Sequence, residues 1–396
     1  MFLNAFGIDI KNKKTVYMKK YTFVIIGGGI AGLSAAIALK NIGIDALVVE
    51  AGKSIRPVGA GLSLAANAIE ALHHLKISEE VIKKGRELES FTLFDKCGKV
   101  IKKVNTQPIK SKTNVRNFTI HRAKLHEVLL SKISPENILT GKRLVSISET
   151  TQGIQINMED GTTLLTKYLI VAEGIHSPLQ NRIASDANVR YSGYTCWRGI
   201  VDNSELKINE TSETWGKEGR FGIVPLADNQ IYWFACKNSV QQNSNFKNYT
   251  LDQLLNNFKD YHHPVVKLIK TTCPGNLIWG DICDIKPLQK TAHGNVLLIG
   301  DAAHAATPNI GQGAGMAIED AVILANSLVK NSRVSEAFKS FEKGRLTRSQ
   351  KIVNNSWRLG KIAQVENDFL ASLRNMAFRL MPQQLYERQM EAVNFH

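Results

Sequence analysis

The stretch GGGIAG sets Gly27, Gly29 and Gly32 in a G-x-G-x-x-G spacing, and Glu50 follows 18 residues after the last of them. Each position has a physical task. Gly27 permits a tight turn, Gly29 lets the backbone approach a pyrophosphate, and Gly32 lets a helix pack close on a strand. A helix starting there points free N–H groups at phosphate oxygens. Glu50 is placed to accept hydrogen bonds from a ribose hydroxyl. The chemistry of this set is dinucleotide binding, and the spacing alone does not separate NAD from FAD.

A second constellation lies about 270 residues further on, in GNVLLIGDAAHAATPNIGQGAGMAIEDA. Asp301 ends a short apolar run and is suited to a polyol hydroxyl. Pro308 and the glycines at 311, 313 and 315 form a loop before a helix expected to start near Gly315 and to carry Glu319 and Asp320. That helix start favours negative charge on a reduced ring system. A bare nicotinamide enzyme has no use for this second polar site, whereas a long cofactor with a ribityl chain does.

The elements that must position these groups are legible around them. Tyr21 to Ile26 (YTFVII) reads as a buried strand, LSAAIALKNIG as a helix ending at Gly43, and DALVVE as a second strand closing on Glu50. With both strands, the helix and the acid in place, the glycine motif is a strong signal. Val296 to Ile299 reads as a further strand. Residues 185–285 have another texture, with strand-like runs RYSGYTCWRGIVD, RFGIVPLADNQIYWFACK and NLIWGDICDIKPL separated by turns. Residues 220–236 read as a hairpin around ADNQ. Alternation sets Arg220, Gly222 and Val224 on one face, and Tyr232 and Phe234 on one face of the returning strand. Trp197, Trp215, Trp233 and Trp279 read as core before pocket. Residues 335–365 and much of the tail to 390 read as helix with a packing role.

The pairing of GGGIAG and Glu50 with GDAAHAATPNIGQGAGMAIEDA resembles the single-component, FAD-dependent aromatic hydroxylases of the para-hydroxybenzoate hydroxylase type. Within them the chain is most similar to the salicylate hydroxylase, zeaxanthin epoxidase and urate hydroxylase subgroup, over roughly residues 21–365. Arg122 in HRAKLHEVLL matches the arginine that contacts FAD at a helix start. Arg56 to Leu72 matches the stretch passing near the flavin. The resemblance implies that Asp301 holds the ribityl chain, and that Pro308 to Ala314 line the isoalloxazine ring with backbone amides of Gly311, Gly313 and Ala314 near its pyrimidine edge. Arg220, Tyr232 and Pro308 are the implied residues at the reacting centre. Arg220 and Tyr232 stand where urate hydroxylase-like members carry substrate-binding groups, and Arg198 in WRG is a secondary candidate. The middle motif departs from the pattern. In VAEGIHSPLQNRI, Glu173 replaces an aspartate and Gln180 stands at the arginine position, with Arg182 two residues on as a substitute cation.

The implied fold is α/β, with a discontinuous Rossmann-like FAD-binding domain (21–88, 116–184 and 286–365), an inserted α+β substrate domain on an antiparallel sheet (89–115 and 185–285), and a C-terminal helical tail (366–396). Residues 1–20 read as a disordered basic extension, with Met18 as an alternative start. The implied activity is an FAD-dependent NAD(P)H monooxygenase that hydroxylates a small aromatic or N-heteroaromatic substrate with O2 through a flavin C4a-hydroperoxide. The alternatives are an oxygenase acting on a large polycycle, as tetracycline-modifying relatives do, and a flavin-binding protein without pyridine-nucleotide turnover. No second G-x-G-x-x-G and no W-x-W-x-I-P motif occurs, which disfavours two-dinucleotide flavoproteins and tryptophan halogenases.

Composition agrees with this class. The 396 residues are 43% hydrophobic and 21% charged, enough for two or three domains with a real core. Fifty basic against 35 acidic residues give a formal charge of +15. The basic residues are spread along the chain without a nucleic-acid-binding motif, so nucleotide phosphates and anionic substrates account for them better than nucleic acid. Five dispersed cysteines fit a reducing, cytoplasmic setting and no structural zinc. Adjacent histidines at 73–74 and 262–263 point apart and carry no metal. No apolar run is long enough for membrane insertion, and the assembly is expected to be a monomer or homodimer.

Overall fold

The computed structural model describes residues 20–55, 59–105, 118–184 and 186–382. The expected N-terminal extension, with Met18, therefore lies outside the described residues apart from Lys20, which already belongs to the first strand. Arg56, residues 106–117 and the tail beyond 382 also lie outside them.

The first strand, Lys20–Ile26, sits at the centre of a largely parallel sheet. It pairs with Ala46–Val49 on one side and Thr163–Val171 on the other. Val296–Leu298 extends the sheet beyond Thr163–Val171, and Ile138–Leu139 extends it beyond Ala46–Val49. An antiparallel pair, Leu144–Thr150 and Gly153–Met158, is added to Thr163–Val171. Continuous apolar strands are what a sheet covered on both faces demands. Phe23 and Ile25 point to one core with Leu33, Ile37, Phe118 and Ile318, while Val24 and Ile26 point to the other with Leu169, Val171 and Leu298. The helix Ile30–Asn41 makes the crossover, buried along residues 30–39.

A second sheet of seven strands, among the described residues, is built from Ser90–Asp95, Val100–Asn105 and five strands between 189 and 285. The hairpin Gly219–Pro225 and Gln230–Asn238 lies at its middle. Asp228 and Asn229 both adopt positive φ, 55° and 54°, the conformation a two-residue hairpin turn requires. The sheet's outer face carries Trp197, Phe221 and Trp233, packed on Leu254, Phe258 and Val265 of two short helices. Two of the four tryptophans are therefore core on that face. Trp215 lies on the other face, against Phe378 of the C-terminal helix.

Strand pairing fixes what the inner face carries. Arg220 is opposite Cys236, Gly222 opposite Phe234 and Val224 opposite Tyr232. On the next strand Cys196 is opposite Cys236, Arg198 opposite Phe234 and Ile200 opposite Tyr232. Partners directly across a sheet share a face, so Arg198, Arg220 and Tyr232 all point one way. A small sheet (Gly61–Leu64, Gly85–Glu87, Phe118–His121) joins this face to the parallel sheet. Tyr232 packs so closely on Gly61 that a Cβ there would meet its ring at 2.6 Å. Thr119 Oγ1 donates to the Pro225 carbonyl at 2.7 Å.

The C-terminal third is helical. Gly313–Lys330 packs on Ile30–Asn41, and the 30-residue helix Val334–Ala363 packs on Gly313–Lys330. The first of these begins two residues before the expected Gly315, because Gln312 already accepts from the Met316 amide. Asp368–Leu380 is the helix in the described part of the tail.

Candidate functional site

The glycine turn is built by contacts that only glycine allows. Gly27 has φ +108°, and a Cβ there would lie 2.3 Å from the Ala172 carbonyl oxygen. A Cβ on Gly32 would lie 1.9 Å from the Gly27 carbonyl oxygen. Gly29 differs, since a Cβ there would meet nothing within 4 Å. Two of the glycines are thus required by the fold, and the third faces open space at the helix start. The Gly27 amide bonds the Val49 carbonyl at 2.8 Å, and the first helical amide bonded within the helix is Leu33, to the Gly29 carbonyl at 3.0 Å. The amides between Gly28 and Leu33 are those that a helix N-terminus leaves without an intrahelical partner.

Glu50 closes the rim. Its Oε2 accepts from the Gly28 amide at 2.8 Å and its Oε1 from the Gly52 amide at 2.7 Å. Arg122 begins the helix Arg122–Ser131, and its side chain lies over Gly59, where a Cβ would meet it at 2.8 Å. His126, one turn along, reaches the Gly28 backbone. Burial, and then the nearby Arg122 cation, lower its pKa below the usual imidazole value. Nothing in the spacing had singled it out.

The second constellation joins the first directly. A Cβ on Gly300, φ +57°, would lie 2.5 Å from Ala31 Cβ at the start of the crossover helix. Asp301, next in the chain, is exposed. Behind it sits a buried polar network. Asp320 accepts from the Gly300 amide at 2.8 Å, from His304 Nε2 at 2.7 Å and from Arg345 Nε at 2.7 Å. Arg345 also holds Glu319 at 2.8 Å, and Glu319 accepts from Asn67 at 2.7 Å. Asn67 donates to Gln312 as well, at 3.1 Å, tying the small sheet's neighbourhood to the glycine loop.

Burial by itself raises the Asp320 pKa, but His304, Arg345 and the Gly300 amide outweigh it and hold the carboxyl at about 2. A depressed pKa stabilises the fold above the unfolded value and loses that contribution as pH falls through the folded one. Asp320 therefore contributes about 2 kcal/mol that disappears between roughly pH 4 and pH 2. Asp320→Asn is expected to lower the thermal midpoint at pH 7 and to flatten its decline over that acid window. A decline as steep as the parent's would refute the assignment.

The loop after Asp301 is pinned from the substrate sheet. Asn309 donates to Thr307 Oγ1 at 2.8 Å and to the Ser356 carbonyl at 2.9 Å. Its Oδ1 accepts from the Tyr194 hydroxyl at 3.0 Å and from Arg220 Nη2 at 2.8 Å. The rest of the Arg220 guanidinium is also engaged, with Nε on Gln364 at 2.8 Å and Nη1 on Glu213 at 3.1 Å. Only 3% of Arg220 is exposed. Pro308 and Gly311, the latter left-handed at φ 65°, sit in the loop that this arginine supports. Gly313 faces open space, and Ala314 follows it in the first helical turn.

Arg198 is in the opposite situation. It lies beside the Tyr232 phenol and the Cys196 thiol, and no carboxylate pairs with it among the described residues. Burial keeps the Tyr232 phenol protonated well past neutral pH, a rise reinforced by Cys196 and only partly offset by Arg198. The two arginines thus differ in their partners: Arg220 supports the loop through Asn309, and Arg198 bonds the Tyr232 phenol.

The altered middle motif is accommodated. Gln180 is buried and donates to the Ala302 carbonyl at 2.8 Å, directly behind Asp301. Glu173 accepts from the Ser177 hydroxyl at 2.7 Å; burial raises its pKa against that bond. Arg182 does not substitute for the missing arginine. It is exposed and donates to the Val145 carbonyl at 3.0 Å. His262 bonds Thr214 at 2.7 Å, and no cluster of metal-ligating groups occurs among the described residues.

The described residues therefore offer two helix starts with open glycines and an exposed aspartate at the end of the strand between them. This fits a molecule with a central pyrophosphate, a polyol chain and an electron-accepting ring, which is FAD. Glu50 and the Gly29 turn would hold the adenosine and pyrophosphate end, Arg122 and Asp301 the middle, and Gly311 to Ala314 the ring.

Comparison with known proteins agrees. The FAD binding domain family matches residues 20–356. The chain is 33% identical over 361 residues to aurachin C monooxygenase/isomerase of Stigmatella aurantiaca, covering 91% of this chain and 94% of that protein. It is 31% identical over 369 residues to 2-heptyl-3-hydroxy-4(1H)-quinolone synthase of Pseudomonas aeruginosa, with the same coverage. Klebsiella pneumoniae HpxO complexed with FAD and uric acid superposes with a TM-score of 0.86 at 27% identity, covering 94% of this chain and 96% of that one. The chain belongs to the FAD binding domain family, and it is a flavoprotein monooxygenase.

Proposed function

We propose that the chain is an NAD(P)H-dependent FAD monooxygenase that hydroxylates an N-heteroaromatic ring bearing an ionisable ring oxygen, with a 4-quinolone body preferred over a purine. The observation that carries this reading is Arg198, a cation without a carboxylate on an inner face that is otherwise mostly apolar around it. Ile200, Val224, Tyr232 and Phe234 share that face. An oxyanion on the ring gains a charge-assisted hydrogen bond from Arg198, while the ring body packs on Phe234 and Tyr232. A purine with polar groups on most edges would leave several of them unpaired against such a lining. The likeness to a heptyl-hydroxyquinolone synthase supports the same body.

When bound, FAD supplies hydride acceptance and dioxygen activation. The overall balance is substrate, O2, NAD(P)H and a proton going to hydroxylated substrate, NAD(P)+ and water. The chain's own residues orient and shield. Arg198 fixes the ring oxygen, and the protonated Tyr232 donates beside it. The seven-stranded sheet covers the cleft and excludes water. The helix start at Gly313 favours negative charge on the ring end of the cofactor. The chain has no second G-x-G-x-x-G, so the nicotinamide enters the same cleft. With Gln180 neutral and Arg182 turned away, its affinity is expected to be low. Cysteines that are all free, Cys196 and Cys236 included although they face each other across the sheet, fit a cytoplasmic setting.

The test is NAD(P)H oxidation by the FAD-loaded protein against 4-quinolones, urate, salicylate and a tetracycline, with peroxide counted in parallel. Strong stimulation by a quinolone with little peroxide is expected. Coupled turnover of urate or a tetracycline alone would overturn the substrate reading. No stimulation by any ring, with FAD bound, would favour a flavin-binding protein without turnover.

A further inference from the structure

The helix Asp368–Leu380 carries an apolar stripe that the fold leaves uncovered. Phe369 is 70% exposed, Leu370 52%, Leu373 41%, Met376 50% and Leu380 74%. At 100° per residue these five fall on one side of the helix. Its opposite side holds it to the protein, with Phe378 edge-on to Trp215 at 5.2 Å and Arg374 over the same ring at 4.6 Å. The helix lies along Val100–Asn105, the edge strand of the substrate sheet. Arg379 Nη2 reaches Asp95 at 3.2 Å, and Lys102 Nζ donates to the Met381 carbonyl at 2.6 Å. Val100 is exposed as well, and its carbonyl accepts from Arg379 Nε at 3.3 Å.

The surroundings are cationic. Lys103 pairs with Glu210 and Lys217 with Asp368, but Lys96, Lys99 and Lys102 have no carboxylate partner among the described residues. The whole chain carries +15. We propose that this face docks on an anionic lipid surface, with the helix lying in the interface and the lysines against the headgroups. A helix with apolar residues on one side and cations beside it binds membranes in this way without spanning them. No described helix is long and apolar enough to span. A second copy is the weaker occupant for two reasons. Thirteen residues make a helix about 20 Å long and about 10 Å wide, a footprint far below the roughly 800 Å² per partner of a stable interface. Two copies would also bring like charges together.

The experiment is co-sedimentation of the FAD-loaded full chain with vesicles. One set is pure phosphatidylcholine and the other equal parts phosphatidylcholine and phosphatidylglycerol. Binding is expected to the anionic vesicles only, and to weaken as salt is raised. Phe369→Glu with Leu373→Glu is expected to lower the partition at least about tenfold while leaving FAD content and NAD(P)H oxidation unchanged. Val329→Glu, at another exposed apolar position, is expected to change nothing. Absence of binding to anionic vesicles overturns the proposal, as does undiminished binding of the double variant. A dimer in light scattering that the double variant dissolves would assign the face to a second copy instead.

Discussion

Gly29→Ala is expected to yield a folded protein that purifies colourless. The backbone at Gly29 is extended, with φ −79°, so alanine adopts it without strain. Its Cβ meets no protein atom within 4 Å. The apoprotein should therefore lose only about 1 kcal/mol, the difference between glycine and alanine at a helix N-cap. The methyl instead occupies the space through which the pyrophosphate approaches the first helix amides. Overpacking of this kind costs about 2–3 kcal/mol, so FAD affinity should fall roughly 30- to 150-fold. Gly32→Ala is the contrast. Its Cβ would sit 1.9 Å from a backbone oxygen, so the fold itself should fail. Melting of the apoproteins and titration with FAD separate the two cases. A Gly29→Ala protein that keeps its flavin would mean that the open space at this turn is not where the phosphates lie.

The contrast between those glycines shows what the sequence carried. G-x-G-x-x-G spacing identified the turn, its strand and its helix, because each glycine answers a local demand. The strands themselves were legible from runs such as YTFVII and DALVVE, whose burial on both faces leaves no polar position. The position of Asp301 just past an apolar strand was legible in the same way. The hairpin around ADNQ was legible from turn residues that tolerate positive φ. What escaped was held together across long separations. Asn309 is tied to Tyr194, Arg220 and Ser356, from three different elements. Asp320 gains its role only when Arg345 of the next helix and His304 of the preceding turn converge on it. His126 matters because its helix ends up against the glycine turn. No period or motif encodes these meetings, since they are produced by packing of elements far apart in the chain.

The different partners of the two arginines escaped the sequence for that reason. Alternation gives the face a strand residue occupies, but not whether a carboxylate from elsewhere will already hold it. Arg198→Met and Arg220→Met are accordingly expected to fail in different ways. Losing Arg198 removes one charge-assisted bond to a bound ring oxygen, about 2–3 kcal/mol. KM for an anionic heteroaromatic should rise about 30- to 150-fold, with FAD content and melting close to the parent's. A neutral analogue should lose far less. Losing Arg220 strips Glu213, whose side chain is only 14% exposed, of its ion-pair partner and leaves it the Trp215 indole N–H, and it leaves Asn309 without one of its donors. Breaking a buried pair in this way costs about 3–5 kcal/mol, so melting should fall sharply. The Pro308–Gly311 loop, which would line the ring of bound FAD, should loosen and admit water, and under the proposed function a larger share of the reducing equivalents should appear as peroxide. Steady-state kinetics with peroxide assay, flavin absorbance and thermal melting distinguish the two patterns. If Arg220→Met melted like the parent while raising KM, and Arg198→Met left KM untouched, Arg220 would be the residue that meets the substrate and the loop would be held by Tyr194 and Ser356 alone.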